Sequence, residues 1–366
     1  MSKKVKFADF PGQWAPQKEE VILGLEKLLE KGDYILGKSV KEFEEKIASY
    51  CGTKYALGLN SGTDALFLSM KHLGIGEGDE VITVANSFIA TSGSIVSCGA
   101  APVFVDVGRD YLIDSGKIED KINSKTKAIM PVHLAGKIAD MDGINSIAKK
   151  HGIAVIEDAC QAIGSEYGGK KSGSLGDFGC FSLHPLKILN VLGDGGFITL
   201  NDEEAYHRIE HLRNHGLRNR DEVGEFGYNS RLDSIHAAVA LTKFKLLEEN
   251  IAIRTTNAMK YMENLSEVYL PQKTRKGSKD NWNTFIIRSD KRDELHSYLV
   301  SRGIDAKVHY PVPNHLQPAA RFLGYTEGSL PETEAQARTI LSLPVHQTLS
   351  SEQVDYVIDS VNSFFK

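Results

Sequence analysis

The residues best suited to chemistry lie in four short segments of the 366-residue chain. The first is Ser61-Gly62-Thr63-Asp64, between a predicted strand and a predicted helix. Glycine permits a close backbone approach and the helix N-terminus offers free N–H groups, so this junction can bind phosphate. The same residue types also cap helices, so the motif alone leaves a purely structural role open.

The second and third segments place an acid and a lysine after two further predicted strands. Asp158, in Glu157-Asp158-Ala159-Cys160-Gln161, needs a metal, an arginine or a protonated heterocycle as partner, unless it only caps a helix. Lys187 ends the segment 181–187 and precedes the glycine-rich residues 193–196. Near a desolvated site such a lysine can lose its proton and form a Schiff base, although a solvated loop lysine is the commoner case.

The fourth segment, Gly227-Tyr228-Asn229-Ser230-Arg231-Leu232-Asp233, directly precedes a long predicted helix, which its last residue can cap. Together the four segments supply phosphate donors, a carboxylate, a lysine and an aromatic ring. A pyridoxal phosphate site requires these parts, because the phosphate needs donors, the pyridine nitrogen needs an acid and the aldehyde needs an amine.

The elements that must position these residues alternate between strand and helix over the first two-thirds of the chain. This alternation predicts an α/β fold with a mainly parallel central sheet flanked by helices. Ser39 and Glu42 form a capping-box pattern at the start of one helix. The predicted strands are 55–59, 81–85, 103–107, 128–132, 153–157, 180–183 and 196–200.

The pattern changes after Asp233. Residues 234–265 predict one long helix or two consecutive ones, and the polar segment 270–280 indicates a loop or a domain junction. A strand at 282–288, a helix at 292–302, a strand at 304–310 and a terminal helix at 354–365 follow. We predict a large cofactor-binding α/β domain over residues 1–250, whose first 15 residues or so are free to pack elsewhere. A smaller C-terminal α+β domain covers residues 251–366.

Composition narrows the class of protein. Hydrophobic residues make up 41% and the net charge is −5, which excludes global disorder and gives no electrostatic footprint for nucleic acid. The four cysteines form no C-x-x-C pair, and the sequence has no metal-binding spacing. We find neither a signal peptide nor an apolar run long enough for a membrane span, and we expect a cytoplasmic protein without membrane or nucleic-acid partners.

The ordered motifs resemble the DegT/DnrJ/EryC1/StrS family of pyridoxal phosphate-dependent sugar aminotransferases, within the fold-type I aspartate aminotransferase superfamily. The resemblance covers almost the whole chain and implies the fold-type I architecture. The motifs that carry it are DYILG at 33–37, SGTDAL at 61–66, SFIAT at 87–91, PVHLAGKIADM at 131–141, EDACQAIG at 157–164, GDFGCFSLHPLK at 176–187, GDGG at 193–196, RNHG at 213–216, YNSRLD at 228–233 and HYPVPNHLQPA at 309–319.

The resemblance implies roles for individual residues. Lys187 would bind the cofactor covalently and Asp158 would pair with its pyridine nitrogen, which makes these two the catalytic residues. The other cofactor contacts would be Gly62, Thr63 and Ser182 at the phosphate, Phe88 on the ring, Gln161 near the phenolic oxygen and Asn229 at the phosphate of the neighbouring subunit. The last contact implies a homodimer with shared active sites.

The implied substrates are a nucleotide-linked keto sugar and an amino acid donor, L-glutamate. His309 and Tyr310 would lie near the sugar nucleotide, with Arg231 as a further candidate. Asp194 in the GDGG motif resembles relatives that act at C3 of the hexose, whereas some relatives have glutamate there. The nucleotide, the sugar and the pathway, surface polysaccharide or antibiotic, stay open.

Three positions depart from the family pattern and bear on substrate identity. Ala135 stands where a tyrosine is common, Ile188 where an asparagine is common, and Asn86 where an aromatic or apolar residue is common. Three alternatives share the scaffold: a cyclitol aminotransferase, a cofactor-dependent sugar dehydratase and a non-catalytic regulatory protein. Lys187 argues against the dehydratase branch, which has histidine there, and Lys187 with Asp158 argues against a regulator.

Overall fold

The computed structural model describes residues 4–366. Its central sheet has seven strands in the order β1-β9-β8-β5-β4-β2-β3. β9 runs antiparallel to both of its neighbours, and the remaining pairs are parallel. The strands are β1 (Tyr55–Leu59), β2 (Glu80–Thr83), β3 (Ala101–Phe104), β4 (Thr126–Ile129), β5 (Ala154–Asp158), β6 (Glu166–Tyr167), β7 (Lys170–Lys171), β8 (Phe178–Ser182), β9 (Gly196–Leu200), β10 (Phe285–Arg288) and β11 (Ile340–Leu343).

Helices cover the central sheet and connect its strands, so the predicted α/β architecture is confirmed. They bury apolar residues three or four positions apart, as Val40, Phe43 and Ile47 show. The α-helices are α1 (Phe10–Trp14), α2 (Lys18–Lys31), α3 (Lys38–Cys51), α4 (Gly62–His72), α5 (Ile89–Ser97), α6 (Met141–His151), α7 (Glu203–Leu212), α8 (Ser234–Phe244), α9 (Leu247–Asn264), α10 (Arg292–Ser301), α11 (Pro331–Thr339) and α12 (Ser351–Phe364).

The C-terminal third has its own apolar cluster, built around the antiparallel pair β10–β11 and helices α10 and α12. Val5, from the start of the described chain, packs in this cluster and bridges to Ile304. Helix α9 runs through residue 250, and the division of the chain at that point stays a prediction.

Two local predictions are wrong. The capping box fails because α3 begins at Lys38, whose N–H donates to Asp33, while the Ser39 hydroxyl donates to the carbonyl of Ser234 at 2.9 Å. The strand at 304–310 fails because this segment forms only isolated bridges, and Tyr310 leaves the extended conformation at φ 61°. No helix among residues 4–366 is long and apolar enough to cross a membrane.

Candidate active site

A cavity of about 730 Å³ opens beyond the carboxyl ends of β1, β5 and β8. Parallel strands present ligands at this edge of a sheet, because the loops that follow them converge there. The segment 308–314 closes the cavity from the C-terminal third. The predicted site residues that line it are Gly62, Thr63, Phe88, Asp158, Gln161, Ser182, Lys187, His309 and Tyr310.

The N-terminus of α4 forms an anion cradle at one side of the cavity. Ser61 caps the helix by accepting from the Asp64 N–H, and the first N–H groups of the helix have no intrahelical acceptor. A Cβ at Gly62 would lie 2.7 Å from Cys160 Sγ and 2.9 Å from Ser182 Cβ, so only glycine fits there. A Cβ at Gly196 would come within 2.3 Å of the Ser61 carbonyl carbon, so β9 also presses directly against the cradle.

Asp158 ends β5, and its backbone is held on both sides. Its N–H donates to the carbonyl of Pro131, and its own carbonyl accepts from the His133 N–H. The adjacent carboxylate of Glu157 is fully buried and accepts from three backbone N–H groups of residues 173–176 and from His133 Nε2. This buried network fixes the strand end, so the Asp158 side chain enters the cavity at a defined place.

Lys187 lies in a tight turn after β8. Its N–H donates to the His184 carbonyl at 2.8 Å, and its carbonyl accepts from Asn190 Nδ2 at 2.7 Å. Burial lowers the pKa of the Lys187 amine, while Cys160 and Asp158 act in the opposite direction. A lowered pKa raises the fraction of uncharged amine, which is the nucleophilic form.

The opposite wall of the cavity comes from the loop after β5 and from the C-terminal third. Gln161 Oε1 accepts from the Ala135 N–H, and Gln161 Nε2 contacts the Tyr310 hydroxyl. His309 Nδ1 pairs with the Ser342 hydroxyl at 2.8 Å. Burial, together with the charges of Lys187 and Lys307, lowers the pKa of His309 to about 4, so this imidazole is neutral at pH 7.

Two predicted residues lie away from the cavity of their own protomer. Asn229 is exposed and bridges to Asn214. Arg231 donates to the side-chain oxygen of Asn214 at 2.9 Å and does not line the cavity. The assignment of Asn229 to a neighbouring subunit stays a prediction, and the structure does not bring Arg231 to the substrate side.

Several polar residues at the cavity have no role assigned by the sequence motifs. Ser87 and Thr91 both line the cavity; Ser87 precedes α5, Thr91 lies in its first turn, and their hydroxyl oxygens are 2.6 Å apart. Gln336 of α11 also lines the cavity. It lies about 140 residues after the GDGG motif at 193–196, the last motif of the central sheet, and no local sequence pattern indicates that it reaches the site.

Comparison with known proteins identifies the fold and its chemistry. A model of the DegT/DnrJ/EryC1/StrS aminotransferase family matches residues 16–362. The chain belongs to this family. Like the relatives that are named as sugar transaminases, it is a pyridoxal phosphate-dependent sugar aminotransferase of the predicted fold-type I architecture.

Three similar proteins illustrate the relationship. A dTDP-3-amino-3,4,6-trideoxy-alpha-D-glucose transaminase of Streptomyces venezuelae is 39% identical over 99% of this chain and 96% of its own. A pleiotropic regulatory protein of Geobacillus stearothermophilus is 41% identical over 99% of both chains. The crystal structure of S. venezuelae DesV superimposes with a TM-score of 0.96 at 38% identity, covering 100% of this chain and 99% of that one.

The residues around the cavity of this sugar aminotransferase fit pyridoxal phosphate. The N-terminus of α4, with Gly62 and the hydroxyl residues Thr63 and Ser182, lines the cavity and offers hydrogen-bond donors to a phosphate. Asp158 offers a buried carboxylate to the pyridine nitrogen, and Lys187 offers an amine of lowered pKa to the aldehyde. Among residues 4–366 no group of three or more His, Cys, Asp or Glu side chains is placed to hold a metal ion.

Proposed function

We propose that the enzyme transfers the amino group of L-glutamate to the keto carbon of a nucleotide-linked keto hexose, at carbon 3. The observation that carries the proposal is the convergence of Lys187, Asp158 and the α4 cradle on one cavity of about 730 Å³. Asp194 lines that cavity, and the Streptomyces relative of 39% identity is named for a 3-amino sugar.

Pyridoxal phosphate, when bound, supplies an aldehyde for the amine and a protonated pyridine ring that accepts an electron pair. Lys187 holds the cofactor until the amino acid donor replaces it. The freed Lys187 Nζ would then be the base that takes the proton from the α-carbon of the donor, and the same Nζ would return a proton to the carbon that the cofactor aldehyde supplies. Its lowered pKa suits this exchange, because burial raises the share of uncharged amine, which is the form that can accept a proton.

Asp158 and Gln161 would hold the cofactor at two edges of its ring. The Asp158 carboxylate would keep the pyridine nitrogen protonated, and the Gln161 side chain would hydrogen-bond near the phenolic oxygen. Phe88, at the N-terminus of α5 and 6.5 Å from the Tyr310 ring, covers the ring face. In the second half of the reaction Lys187 moves the proton in the opposite direction, onto the sugar carbon that receives nitrogen.

The keto sugar enters from the side of His309 and Tyr310. A neutral imidazole and a phenol can each donate a hydrogen bond to a sugar hydroxyl or accept one from it, and neither group carries a charge. We further propose that the enzyme is a homodimer and that Asn229 completes the phosphate site of the partner. The exposure of Asn229 and its absence from the lining of the cavity of its own protomer support this assignment.

A panel of 3-keto and 4-keto nucleotide sugars with L-glutamate tests the proposal. We expect formation of an amino sugar and 2-oxoglutarate from 3-keto substrates, at least tenfold faster than from 4-keto substrates. Lys187→Ala is the matched control and should leave only background. Preference for a 4-keto sugar would overturn the position of amination, whereas turnover of a keto cyclitol alone would overturn the nucleotide-sugar assignment.

A further inference from the structure

Two hydroxyl groups form a chain that ends on the carboxylate of Asp158. Thr91 Oγ1 donates to Asp158 Oδ2 at 2.7 Å, and Ser87 Oγ lies 2.6 Å from Thr91 Oγ1. All three side chains are more than nine-tenths buried. An ionised carboxylate only accepts hydrogen bonds, so Thr91 gives its single proton to Asp158 and accepts from Ser87. The chain therefore runs in one direction, from Ser87 through Thr91 to Asp158.

The other oxygen of the Asp158 carboxylate, Oδ1, accepts a longer hydrogen bond. The Cys160 N–H donates to Asp158 Oδ1 at 3.3 Å, from the loop that directly follows β5. The Thr91 bond is shorter, lies in the range of charge-assisted bonds and comes from a separate element, α5. Rotation of the carboxylate about its Cβ–Cγ bond would break the short Thr91 bond, so this bond opposes the rotation and helps to fix which lone pairs face the cavity.

The same turn of α5 carries the ring that covers the cofactor face. Phe88 precedes the first residue of the helix, and its carbonyl accepts from the Thr91 N–H at 3.1 Å. Phe88 and Thr91 are therefore coupled through the backbone of one helical turn. That turn sets both the contact with the face of the pyridine ring and the orientation of the acid at its edge.

We propose that Thr91, supported by Ser87, is a positioning residue that holds Asp158 in the orientation in which it meets the cofactor's pyridine nitrogen. The inference rests on the role proposed above for Asp158. The proposal gives a role to the Ser87 and Thr91 hydroxyls of the SFIAT motif. The stacking of Phe88 on the cofactor does not explain these hydroxyls, because a ring contact requires neither of them.

The test compares Thr91→Val, which keeps the shape of the side chain, with Thr91→Ser, which keeps the hydroxyl. For Thr91→Val we expect cofactor affinity, measured by titrating the apoenzyme, to fall roughly ten- to a hundredfold, the usual cost of one hydrogen bond to a charged group. The ¹⁵N shift of a labelled pyridine nitrogen should move toward its unprotonated value. Thr91→Ser should restore both readouts to within about threefold of the wild type.

Ser94→Ala is the matched control, since Ser94 is a buried hydroxyl on the same helix that donates to the Thr91 carbonyl at 3.0 Å and not to Asp158. Wild-type affinity and ¹⁵N shift in Thr91→Val would overturn the proposal, and so would an equal effect of Ser94→Ala. If Thr91→Val does not fold, Ser87→Ala carries the test, with an expected shift in the same direction. An unchanged ¹⁵N shift in Ser87→Ala would contradict the proposed support of Asp158 by the hydrogen-bond chain that starts at Ser87.

Asp158→Asn distinguishes a failure of the role proposed for Asp158 from a failure of the positioning role proposed for Thr91. If Asp158→Asn leaves the pyridine nitrogen protonated, the role proposed for Asp158 fails, whatever Thr91 does. If Asp158→Asn changes the ¹⁵N shift and Thr91→Val does not, the role of Asp158 stands and the positioning role of Thr91 is overturned.

Discussion

The side-chain nitrogen of Gln161 lies 3.3 Å from the hydroxyl oxygen of Tyr310. The orientation of this amide is fixed, because Gln161 Oε1 accepts from the Ala135 N–H at 2.9 Å and Nε2 must therefore donate to Tyr310. Burial, assisted by the charge of Asp158, raises the pKa of Tyr310 to about 12. Tyr310 thus keeps its proton at neutral pH and can donate it to a ligand in the cavity.

Gln161→Glu tests how much the hydrogen-bond donor Gln161 Nε2 contributes to cofactor binding. The glutamate oxygen can still accept from Ala135, but an ionised carboxylate cannot donate to Tyr310 or to the phenolic oxygen of the cofactor. We expect cofactor affinity to fall roughly tenfold or more, with a shifted visible absorption maximum. Tyr310→Phe is the control, because it removes the hydroxyl and leaves the Gln161 amide in place. Identical spectra for Gln161→Glu and the wild type would remove Gln161 from the cofactor site.

Lys187→Ala should lose turnover by several orders of magnitude, because it removes the amine that we propose as both the covalent attachment site and the proton carrier. Borohydride reduction of the wild-type enzyme followed by peptide mapping should label Lys187. Lys137→Ala is a suitable comparison, since burial lowers the pKa of that lysine too, yet it does not line the cavity. A label on any other lysine would contradict the assignment.

Asn229→Ala should weaken cofactor binding by about 1–3 kcal/mol, the cost of one hydrogen bond to a charged phosphate. A sharper test mixes two inactive variants, Lys187→Ala and Asn229→Asp, and lets the subunits exchange. Shared sites predict recovery of about a quarter of the wild-type activity, since half of the dimers are mixed and each has one intact site. Activity that stays at background after exchange, or a fully active monomer, would disprove the composite site.

His309→Ala should slow transfer to the keto sugar and leave the glutamate half-reaction nearly unchanged, because we assign His309, which lines the cavity, to the sugar substrate and not to the cofactor. We expect a loss of at least tenfold in the second half alone. Single-turnover absorbance spectra, started separately with glutamate and with keto sugar, distinguish the two halves. Equal damage to both halves would indicate that His309 only supports the packing of Phe7, whose ring centroid lies 5.3 Å from its own.

Stability should fall as the pH drops from about 6.5 to 4. Burial lowers the pKa of both His309 and His346 to about 4, so the unfolded chain binds protons in this range that the native protein does not bind. The unfolding free energy then decreases with falling pH, by an expected total on the order of 1–3 kcal/mol from this pair. Urea unfolding at pH 7 and pH 5 checks the sign. The double variant His309→Gln, His346→Gln should show a smaller decrease, and His207→Gln, at an exposed position, should not.

Much of the architecture could be predicted from local patterns. The strand that ends at Asp158 and the helix that starts at Gly62 follow from runs of apolar residues and from turn residues that precede or follow them. The strands predicted at 55–59 and 196–200 have the observed bounds, whereas the ends of other strands differ by one to three residues, because register depends on neighbours distant in sequence. The segment 304–310 has the alternating pattern of a strand but forms only isolated bridges, and its last residue, Tyr310, is in the left-handed conformation.

The site residues that could be predicted are those whose own sequence motif indicates their chemistry. Lys187 and Asp158 each follow a strand, and strand order then brings them to one cavity. Thr91 and Gln336 escaped notice, because their contacts cross between elements: Thr91 reaches from α5 to β5, and Gln336 reaches Gly108 at 2.8 Å. No periodicity within either segment encodes such a pair.

The contact between Gly196 and the Ser61–Gly62 backbone has a consequence for protein synthesis. The two sides of the cradle lie about 135 residues apart in sequence, a large loop to close before the contact can form. At 5–20 residues per second, a ribosome needs roughly 7–27 s after making residue 62 before residue 196 exists. During that interval the nascent chain carries an incomplete phosphate cradle, and the walls that His309 and Tyr310 supply come later still. Cofactor loading is therefore a late event in the maturation of this enzyme, and truncated chains that end before β9 should leave the ribosome without it.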